Sequence, residues 1–303
     1  MPGSISVITP TYNRADTLPR AINSVLAQTE ENVEHIIIDD GSTDATPSMM
    51  DNCEHPRITY HRLSSNQGAC VARNVGIELA SSEYVSFLDS DDALRPEYLE
   101  KVIDAFNPAP NKQAGVYTSY SIRRAEDDEK IRTSRAEPGS VDQQSVLQQN
   151  PIGSLSATTF RRDILAEVGG FDPSFQARQD LDLYVRILEN YEIVGIDEVL
   201  VDHYQHDSRI SADPGRRIQG HERFIDKHGK KMSSSAIANT HYQRGHHYAE
   251  MGNLGASKEH FWEAVRYAPA NPRHLYFYFA SLLNHSVFDT AKIIKETVGK
   301  YLK

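Results

Sequence analysis

Short apolar runs alternate with amphipathic stretches along the first part of the chain. The apolar runs lie at residues 5–8, 33–38, 58–61 and 84–88. Between them, apolar side chains recur at helical spacing, and Thr17 and Pro19 are placed to cap and open the first helix. Such alternation of strand and helix predicts a mostly parallel sheet with right-handed crossovers. Three consecutive isoleucines at 36–38 are typical of a strand covered on both faces.

The middle of the chain has a less regular pattern. Strands are predicted at residues 114–120 and 156–160, one or two short strands at 193–202, helices at 141–147, 163–168 and 180–190, and a mobile polar loop at 203–217. Gly169 and Gly170 should end the helix before them, since glycine readily adopts the left-handed conformation found after a helix. The predicted fold is therefore α/β, with a mixed but mostly parallel sheet flanked by helices.

From about residue 213 the pattern is helical to the end. The six residues Gly245, Tyr248, Gly252, Phe261, Ala264 and Pro269 have the offsets of a tetratricopeptide repeat over about residues 238–271. His241, Arg244 and Ser257 depart from that repeat. A single repeat cannot bury its own apolar face. We therefore expect an all-α extension at 213–303 that packs on its neighbours, with docking of a protein partner as the functional alternative.

Composition narrows the class of protein. The chain has 303 residues, a formal net charge of −10, 39% hydrophobic and 24% charged residues, and two cysteines, Cys53 and Cys70. A negative net charge argues against a general nucleic-acid binder. Two unpaired cysteines and the absence of a signal-peptide pattern predict a cytoplasmic protein. The apolar stretch 275–283 is too short to span a bilayer, which leaves a core helix or peripheral attachment to the inner face of the membrane.

Acidic residues follow two of the predicted strands directly. Asp39 and Asp40 end one strand, and Asp89, Asp91 and Asp92 end another. The carboxyl ends of parallel strands meet at one edge of a sheet, where open α/β folds bind ligands. Clustered carboxylates suit a divalent cation that coordinates phosphate oxygens. The alternative is a solvated acidic turn in which Asp92 caps the next helix. Neither glycine-rich phosphate motif occurs, so a nucleotide would be held by side chains and a metal.

Four motifs in register resemble one known family. They are the segments at residues 8–14, 39–44, 66–76 and 87–92, that is, ITPTYNR, DDGSTD, NQGACVARNVG and FLDSDD. Together with VGGFDPSF at 168–175 and QDLDL at 179–183, they resemble the inverting nucleotide-sugar glycosyltransferases of family 2, which have the GT-A fold. The resemblance covers about residues 4–210. It implies a catalytic domain at 1–212, with a nucleotide-binding half at about 1–92 and an acceptor half at about 93–212.

The resemblance also implies roles for individual residues. Asp89 and Asp91 are similar to the family's DxD motif, in which Asp91 would bind Mg²⁺ or Mn²⁺ on the donor diphosphate and Asp89 would contact the ribose. Asp40 would accept from an N–H of the base. The remaining nucleotide-binding candidates are Pro10, Thr11 and Tyr12 around the base and ribose, and Arg73 near the base or diphosphate.

The general base is expected at the start of the helix after the Gly-Gly-Phe-Asp turn. The family usually has an acidic pair there, and this chain has Gln179 followed by Asp180, so Asp180 is the candidate base. Asp182 would point away from Asp180 on a helix and is expected to be structural. In the stretch 203–211, His206 and Arg209 are candidate diphosphate contacts, and His206 is also a candidate metal ligand.

These features predict a metal-dependent enzyme that moves a sugar from a nucleoside diphosphate donor, a UDP-sugar, to a glycan, lipid-linked or polymer acceptor. A polyprenyl-phosphate-linked glycan fits a site at the membrane surface. Two alternatives remain: a sugar nucleotidyltransferase, which normally needs a glycine-rich loop that residues 5–13 lack, and a non-catalytic sugar-nucleotide-binding or docking protein. The identity of the sugar and of the acceptor does not follow from the sequence.

Overall fold

The computed structural model describes residues 4–107, 112–205 and 213–282. It divides into two compact units. The first comprises residues 1–146, 150–174 and 179–208, and the second comprises residues 147–149, 175–178 and 209–303. The ten strands of the described residues belong to the first unit, and the four helices between residues 214 and 282 belong to the second.

The first unit is built on one ten-stranded mixed sheet. The strands are β1 (Ile5–Thr11), β2 (Val33–Asp39), β3 (Ile58–Arg62), β4 (Tyr84–Phe87), β5 (Ala93–Leu94), β6 (Gln113–Arg124), β7 (Lys130–Ser134), β8 (Gly139–Ser140), β9 (Thr158–Arg161) and β10 (Glu192–Gln205). The order across the sheet is β3-β2-β1-β4-β9-β6-β10-β5, with β7 paired to β6 and β8 to β10.

The part of the sheet formed by β1 to β4 is parallel throughout, as its alternating pattern predicts. Strand β1 pairs in parallel with β2 and β4, and β2 pairs in parallel with β3. Beyond β4 the sheet becomes mixed, because β9 runs antiparallel to both β4 and β6 while β10 runs parallel to β6. The carboxyl ends of β1, β2 and β4 therefore meet at one edge.

Seven helices connect or cover the strands. They are α1 (Leu18–Leu26), α2 (Thr46–Asp51), α3 (Ala69–Leu79), α4 (Tyr98–Ala105), α5 (Gln143–Gln148), α6 (Arg162–Glu167) and α7 (Gln179–Ile187). Helix α3 lies close to β1, since a Cβ atom at Gly76 would overlap the side chain of Ile8. Helix α6 ends as predicted, with Gly169 and Gly170 at positive φ angles of 79° and 61°.

Three local predictions are wrong. Thr17 precedes α1 but makes no side-chain cap hydrogen bond. The region 193–202 is not one or two short strands: β10 is a single strand of 14 residues whose register against β6 shifts at three places. Those irregularities interrupt the alternation that marks a continuous strand in a sequence. Residues 203–205 continue β10 and α8 begins at Pro214, so the predicted loop is shorter than 203–217, and its residues 206–212 lie outside the described residues.

The second unit is helical. Its helices are α8 (Pro214–His228), α9 (Ser234–Glu250), α10 (Leu254–Tyr267) and α11 (Pro272–Leu282). Its core contains Tyr242, Phe261 and Phe277, which pack their rings against one another. Within the described residues, no helix combines the length and the apolar character needed to cross a membrane. Helix α11 exposes Tyr276 and Phe279, while residue 283 of the apolar stretch lies outside the described part. Peripheral membrane attachment stays a prediction.

Imidazole rings occupy several positions in the packed interior of the helical unit. Burial lowers the pKa values of His221, His247 and His274, and it lowers the pKa of His260 to about 4. The Nδ1 atoms of His241 and His260 lie 3.1 Å apart. Two protonated rings could not make that contact, because both nitrogens would then be donors. The contact excludes protonation of both rings at once, and the lowered pKa values of His241 and His260 favour two neutral rings.

We expect the stability of the protein to fall on mild acidification. In the unfolded chain each histidine takes up a proton near its ordinary pKa of 6.5, whereas His260 in the fold does so only near pH 4. Its contribution is therefore complete above pH 6.5 and is lost as the pH falls toward 4, at up to about 1.4 kcal/mol per pH unit for each such ring. Urea unfolding between pH 6.5 and 5 measures this slope, because His203, whose pKa is raised to about 9, has the opposite effect on stability only above pH 6.5.

The variant His260→Phe keeps a ring that can stack but removes the titrating group. We expect it to show a smaller loss of free energy of unfolding between pH 6.5 and 5 than the parent. Its value at pH 8, where the unfolded histidines are neutral, gives the cost of the changed packing and serves as the control. Equal slopes in parent and variant would contradict this account of His260.

Candidate active site

The predicted acidic residues gather at one sheet edge. In the parallel register, Thr11 at the end of β1 lies opposite Asp39 of β2, and the N–H of Asp40 donates to the carbonyl oxygen of Thr11 at 2.8 Å. On the other side of β1, the N–H of Leu88 donates to Ile8, which places Asp89 at the same edge. The prediction that two acidic strand ends come together is confirmed.

Asp39 and Asp40 are buried and fully engaged in local structure. Asp39 accepts from the N–H of Ser42 at 2.8 Å and from Tyr60 Oη at 2.6 Å. Asp40 accepts from the N–H groups of Gln67 and Gly68, one on each carboxylate oxygen, both at 2.7 Å. Asp40 thus fixes the start of α3 relative to β2. Each oxygen has a second lone pair, so the predicted contact with a base stays a prediction.

The loops after β1 and β2 are joined by Asn13. Its Oδ1 accepts from the N–H groups of Thr43 and Asp44, and its own N–H donates to Ser42 Oγ at 2.9 Å. Asn13 has a φ angle of 53°, in the left-handed region that asparagine tolerates better than most residues. Next to it, Tyr12 is 42% exposed.

The other two pocket candidates lie on the strand itself. Thr11 is buried, and its Oγ1 has no hydrogen-bond partner among the described residues. Pro10 is half-buried one position earlier. The consecutive residues Pro10, Thr11 and Tyr12 therefore lie at the carboxyl end of β1, at the same sheet edge as the carboxylates. Their predicted contact with the base and ribose is compatible with this placement.

Arg73 is an interior residue, not a surface one. It lies in the first turns of α3, is 5% exposed, and donates from Nη2 to Asp89 Oδ1 at 2.8 Å. Its guanidinium also lies over the ring of Phe171, 5.4 Å from the ring centroid. Neither Nε nor Nη1 has a hydrogen-bond partner in the part of the chain that the structure describes. A buried guanidinium with unused donors is suited to an anionic or hydroxyl-bearing ligand.

Three carboxylates cluster at the end of β4. Asp89, Asp91 and Asp92 each offer an oxygen, and these oxygens lie within 4.8 Å of one another. Both Asp89 and Asp91 are half-buried, whereas Asp92 is completely buried. Carboxylate oxygens are the ligands that hard divalent cations prefer. The donor set therefore fits the Mg²⁺ or Mn²⁺ site predicted from the sequence.

Asp92 does not cap a helix, contrary to the sequence prediction. The short strand β5 follows it, and α4 begins only at Tyr98. Its carboxylate instead accepts from Ser156 Oγ at 2.6 Å, from the N–H of Tyr204 at 3.0 Å, and contacts His203 Nδ1 at 3.0 Å. Ser156 Oγ also accepts from the N–H of Asp89 at 3.1 Å. Asp92 thus fastens the acidic turn to β10 and to the segment before β9.

His203 supplies a positive charge beside the carboxylates. Burial of the ring lowers its pKa, but the neighbouring Asp92 carboxylate outweighs this, with smaller contributions from Asp89 and Asp91, and raises the pKa of His203 to about 9. The ring is therefore an imidazolium at neutral pH. Together with Arg73, it brings positive charge to the carboxylate cluster.

A second arginine, Arg20, binds the backbone of the acidic turn that follows β4. Arg20 of α1 donates from Nη1 to the carbonyl oxygen of Asp91 at 3.2 Å. Its guanidinium lies 3.8 Å from the centroid of the Tyr204 ring. Because Tyr204 is also bound to Asp92 through its backbone, Arg20 connects both sides of the turn.

Asp180 lies on the same unit, at the second position of α7. It is half-buried, and its Oδ2 accepts from Asn150 Nδ2 at 3.3 Å. Asn150 is held in turn by Gly153, with hydrogen bonds in both directions at 2.9 and 3.0 Å. The first turn of a helix favours a negatively charged side chain through the helix dipole. Asp180 is thus a positioned carboxylate.

The surroundings of Asp180 overlap those of Arg73. Burial raises the pKa of the Tyr184 hydroxyl well above its usual range, and the charge of Asp180 raises it further while Arg73 lowers it. The pKa of Cys70, which burial raises to about 11, responds to the same two charges. Both charges therefore act on the same interior region. Asp182, by contrast, is completely buried and paired with Arg186 at 2.9 Å, as expected for a structural residue.

The sequence does not single out Arg20, Asn150, Ser156 or His203 as site residues. Their roles depend on pairing between distant elements, and only His203 has a local signal, as the first residue of the motif-like stretch 203–211. His206 and Arg209, the two candidates in that stretch, lie outside the described residues. Their predicted contacts stay predictions.

Known proteins resemble this chain over most of its length. A family model described as Glycosyl transferase family 2 matches residues 6–169. TuaG of Bacillus subtilis, named as a teichuronic acid biosynthesis glycosyltransferase, is 33% identical over 212 residues, covering 69% of this chain and 81% of that protein. WcaA of Escherichia coli, named for colanic acid biosynthesis, is 30% identical over 241 residues, covering 77% and 84%. A glycosyltransferase of Haemophilus influenzae is 28% identical, and the match covers 62% of the length of that protein.

Solved structures show the same fold. The S. aureus TarS 1–349 structure in complex with UDP has a TM-score of 0.59 and 16% identity, and the match covers 87% of this chain and 91% of that one. The structure of the same protein with UDP-GlcNAc has a TM-score of 0.61 and 15% identity, with coverages of 97% and 92%.

We expect Asp92→Asn to loosen the acidic turn. The amide keeps one acceptor oxygen where the carboxylate serves three donors, so at least one buried donor loses its partner, at a cost of about 1–3 kcal/mol in the free energy of unfolding. Loss of the negative charge should also lower the pKa of His203 from about 9. Urea unfolding and NMR titration of the His203 ring protons measure the two effects.

The same change at Asp104, an exposed residue of α4, is the matched control. It should leave both quantities as in the parent. If Asp92→Asn behaved like Asp104→Asn in both measurements, the bonds to Ser156 and His203 would not have the importance assigned to them.

Proposed function

The chain belongs to glycosyltransferase family 2, and on that basis we propose that it transfers a sugar with inversion from a UDP-sugar to a hydroxyl group of a glycan acceptor. The observation that carries the proposal is the edge where Asp89, Asp91 and the buried Arg73 meet. Carboxylates and a guanidinium at one strand end can hold a metal–diphosphate group from both sides. The UDP and UDP-GlcNAc complexes of TarS support the choice of donor.

Asp91 is the residue that would hold a divalent cation, Mg²⁺ or Mn²⁺. Asp92 is less suited, since its oxygens already serve Ser156, His203 and Tyr204. When bound, such an ion would stabilise negative charge on the departing diphosphate. Arg73 and the imidazolium of His203 are two cations of the chain at this edge and would act on the same charge.

The nucleoside would lie along the ends of β1 and β2. Tyr12 is exposed enough for a base to stack on its ring, with Pro10 and Thr11 lining the pocket. Asp40 would accept from a base N–H with its remaining lone pairs, and Asp89 would contact the ribose. His206 and Arg209 remain candidates for the diphosphate.

Asp180 would act as the general base. The acceptor hydroxyl gives its proton to the Asp180 carboxylate while its oxygen bonds to the anomeric carbon. The bond from that carbon to the diphosphate oxygen breaks at the same time, and its electron pair leaves with UDP. Attack from the face opposite the leaving group inverts the anomeric centre. Asn150 would orient the carboxylate, since it donates to Oδ2.

The acceptor class is proposed from the relatives. The names of TuaG and WcaA both refer to the biosynthesis of glycan polymers. A growing surface polysaccharide, presented on a polyprenyl phosphate at the inner face of the membrane, is the acceptor we favour. The helical unit would then serve acceptor or partner recognition.

We expect Asp91→Asn to weaken metal-dependent UDP binding. Titration calorimetry of UDP should show at least about a tenfold loss of affinity in the presence of Mn²⁺, compared with the parent under the same conditions. Changes to residues that only contact a metal ligand already cost about tenfold, so loss of a ligand should cost at least as much. The exposed Asp226→Asn on α8 is the control and should bind UDP like the parent. Equal UDP affinities for Asp91→Asn and parent would refute the metal assignment.

We expect Asp180→Asn to separate binding from turnover. UDP affinity should stay at the parent value, because Asp180 contacts the acceptor and not the nucleotide, while the rate of transfer should fall by about 10²- to 10⁴-fold. UDP release from a panel of UDP-sugars, with a glycan extract as acceptor, measures the rate. A parent protein that binds UDP but turns over no donor would favour the non-catalytic sugar-nucleotide-binding alternative, and a fully active variant would exclude Asp180 as base.

A further inference from the structure

The helical unit contains a polar cavity that none of the roles above uses. It measures about 350 Å³ and lies between the short segment 147–149, one face of α9 and the start of α11. Four carboxamide side chains line it, those of Gln148, Gln149, Asn239 and Asn271, together with Arg273 and His274. Its volume is at the lower end of the range for small-molecule sites.

The chemistry of this lining is unusual for a surface depression. A carboxamide offers both an acceptor oxygen and two N–H donors. A sugar hydroxyl likewise donates and accepts, so an array of carboxamides can match a polyol without burying an unpaired charge. The described residues that line the cavity include no carboxylate, and Arg273 is their one permanently charged cation.

Three of the four amides, those of Gln148, Asn239 and Asn271, make hydrogen bonds to neighbours. Gln148 donates from Nε2 to Ser235 Oγ at 3.2 Å, and Asn239 donates from Nδ2 to the carbonyl oxygen of Gln148 at 3.1 Å. On the opposite wall, Asn271 accepts from the N–H of Arg273 at 3.0 Å. Groups fixed before binding lose little conformational freedom when a ligand arrives.

Arg273 is fixed as well. Its Nε donates to Tyr242 Oη at 2.8 Å, and its guanidinium lies 4.3 Å from the centroid of that ring. This uses one of five N–H donors. His274 is 4% exposed, and burial lowers its pKa, so it presents a neutral ring to the cavity.

We propose that this cavity, the amide pocket, binds a saccharide unit of the acceptor glycan. The inference rests on the proposed transferase function, since such an enzyme must hold a hydroxyl-rich acceptor as well as its donor. The chain leaves the pocket wall at Gln149 and continues directly into Asn150, the residue that donates to the candidate base Asp180. The pocket wall and the partner of the base are therefore consecutive in sequence.

The test is saturation-transfer NMR on the full chain with the methyl glycosides of glucose, galactose, mannose, rhamnose, N-acetylglucosamine, N-acetylgalactosamine and glucuronic acid. At least one glycoside should receive saturation from the parent. The double variant Gln149→Ala, Asn239→Leu removes two amides, and loss of two hydrogen bonds should lower the affinity by roughly tenfold or more. The variant Gln219→Ala, at an exposed glutamine of α8 outside the pocket, should retain the parent signal.

Several outcomes would overturn the proposal. These are the absence of a signal from all seven glycosides, equal signals in parent and double variant, or an equal loss in Gln219→Ala. If a Ser-Gly-Ser peptide received saturation in this experiment and the glycosides did not, the cavity would be a peptide site. Circular dichroism and thermal unfolding of the double variant check that it is folded.

The donor site is measured separately in the same proteins. UDP binding with Mn²⁺ should be unchanged in the double variant, because the altered residues belong to the amide pocket. If the parent failed to bind UDP, the proposed function would be rejected, while a glycoside signal would still show that the cavity binds a saccharide. If UDP bound and no glycoside did, only the amide pocket would be rejected.

Discussion

The architecture depends on how five carboxylates are accommodated at one edge of a parallel sheet. Buried negative charge is unfavourable unless donors or cations satisfy it. Asp39 and Asp40 are satisfied by hydroxyl and backbone N–H groups, and Asp92 by Ser156, His203 and Tyr204. Asp89 is paired with Arg73. Apart from the local bond between Asp39 and Ser42, each of these contacts also joins two elements, so most groups that neutralise the edge also assemble it.

Helix α3 illustrates this double use. Asp40 accepts from the N–H of Gly68, the residue just before the helix, Arg73 reaches from its first turns to Asp89, and Gly76 allows the helix to approach β1 closely. One turn of this helix is thus connected to the ends of both β2 and β4. The position of Arg73 is set by contacts that also stabilise the fold, so its proposed role at the site and its structural role cannot be altered independently.

The parallel half of the fold and its acidic edge were predictable from the sequence, because buried parallel strands are continuous apolar runs and their ends share one side. The second half was harder. Strand β10 contains register shifts that hide its length, and Asp92 precedes residues that suit a helix start although a strand follows. The sequence also gives no indication that Asp92 pairs with His203, 111 positions away. Such pairings are decided by tertiary packing, which local patterns do not encode.

The contact of Asn13 with the loop after β2 has a consequence for ligand affinity. One side-chain oxygen accepts from two successive backbone N–H groups, so the loops after β1 and β2 are already joined to each other at the edge where we propose that the nucleoside binds. Ordering a flexible backbone costs about 1–2 kcal/mol per residue at room temperature. A pocket wall that is already ordered avoids that entropic penalty, and more of the interaction energy remains available as binding free energy.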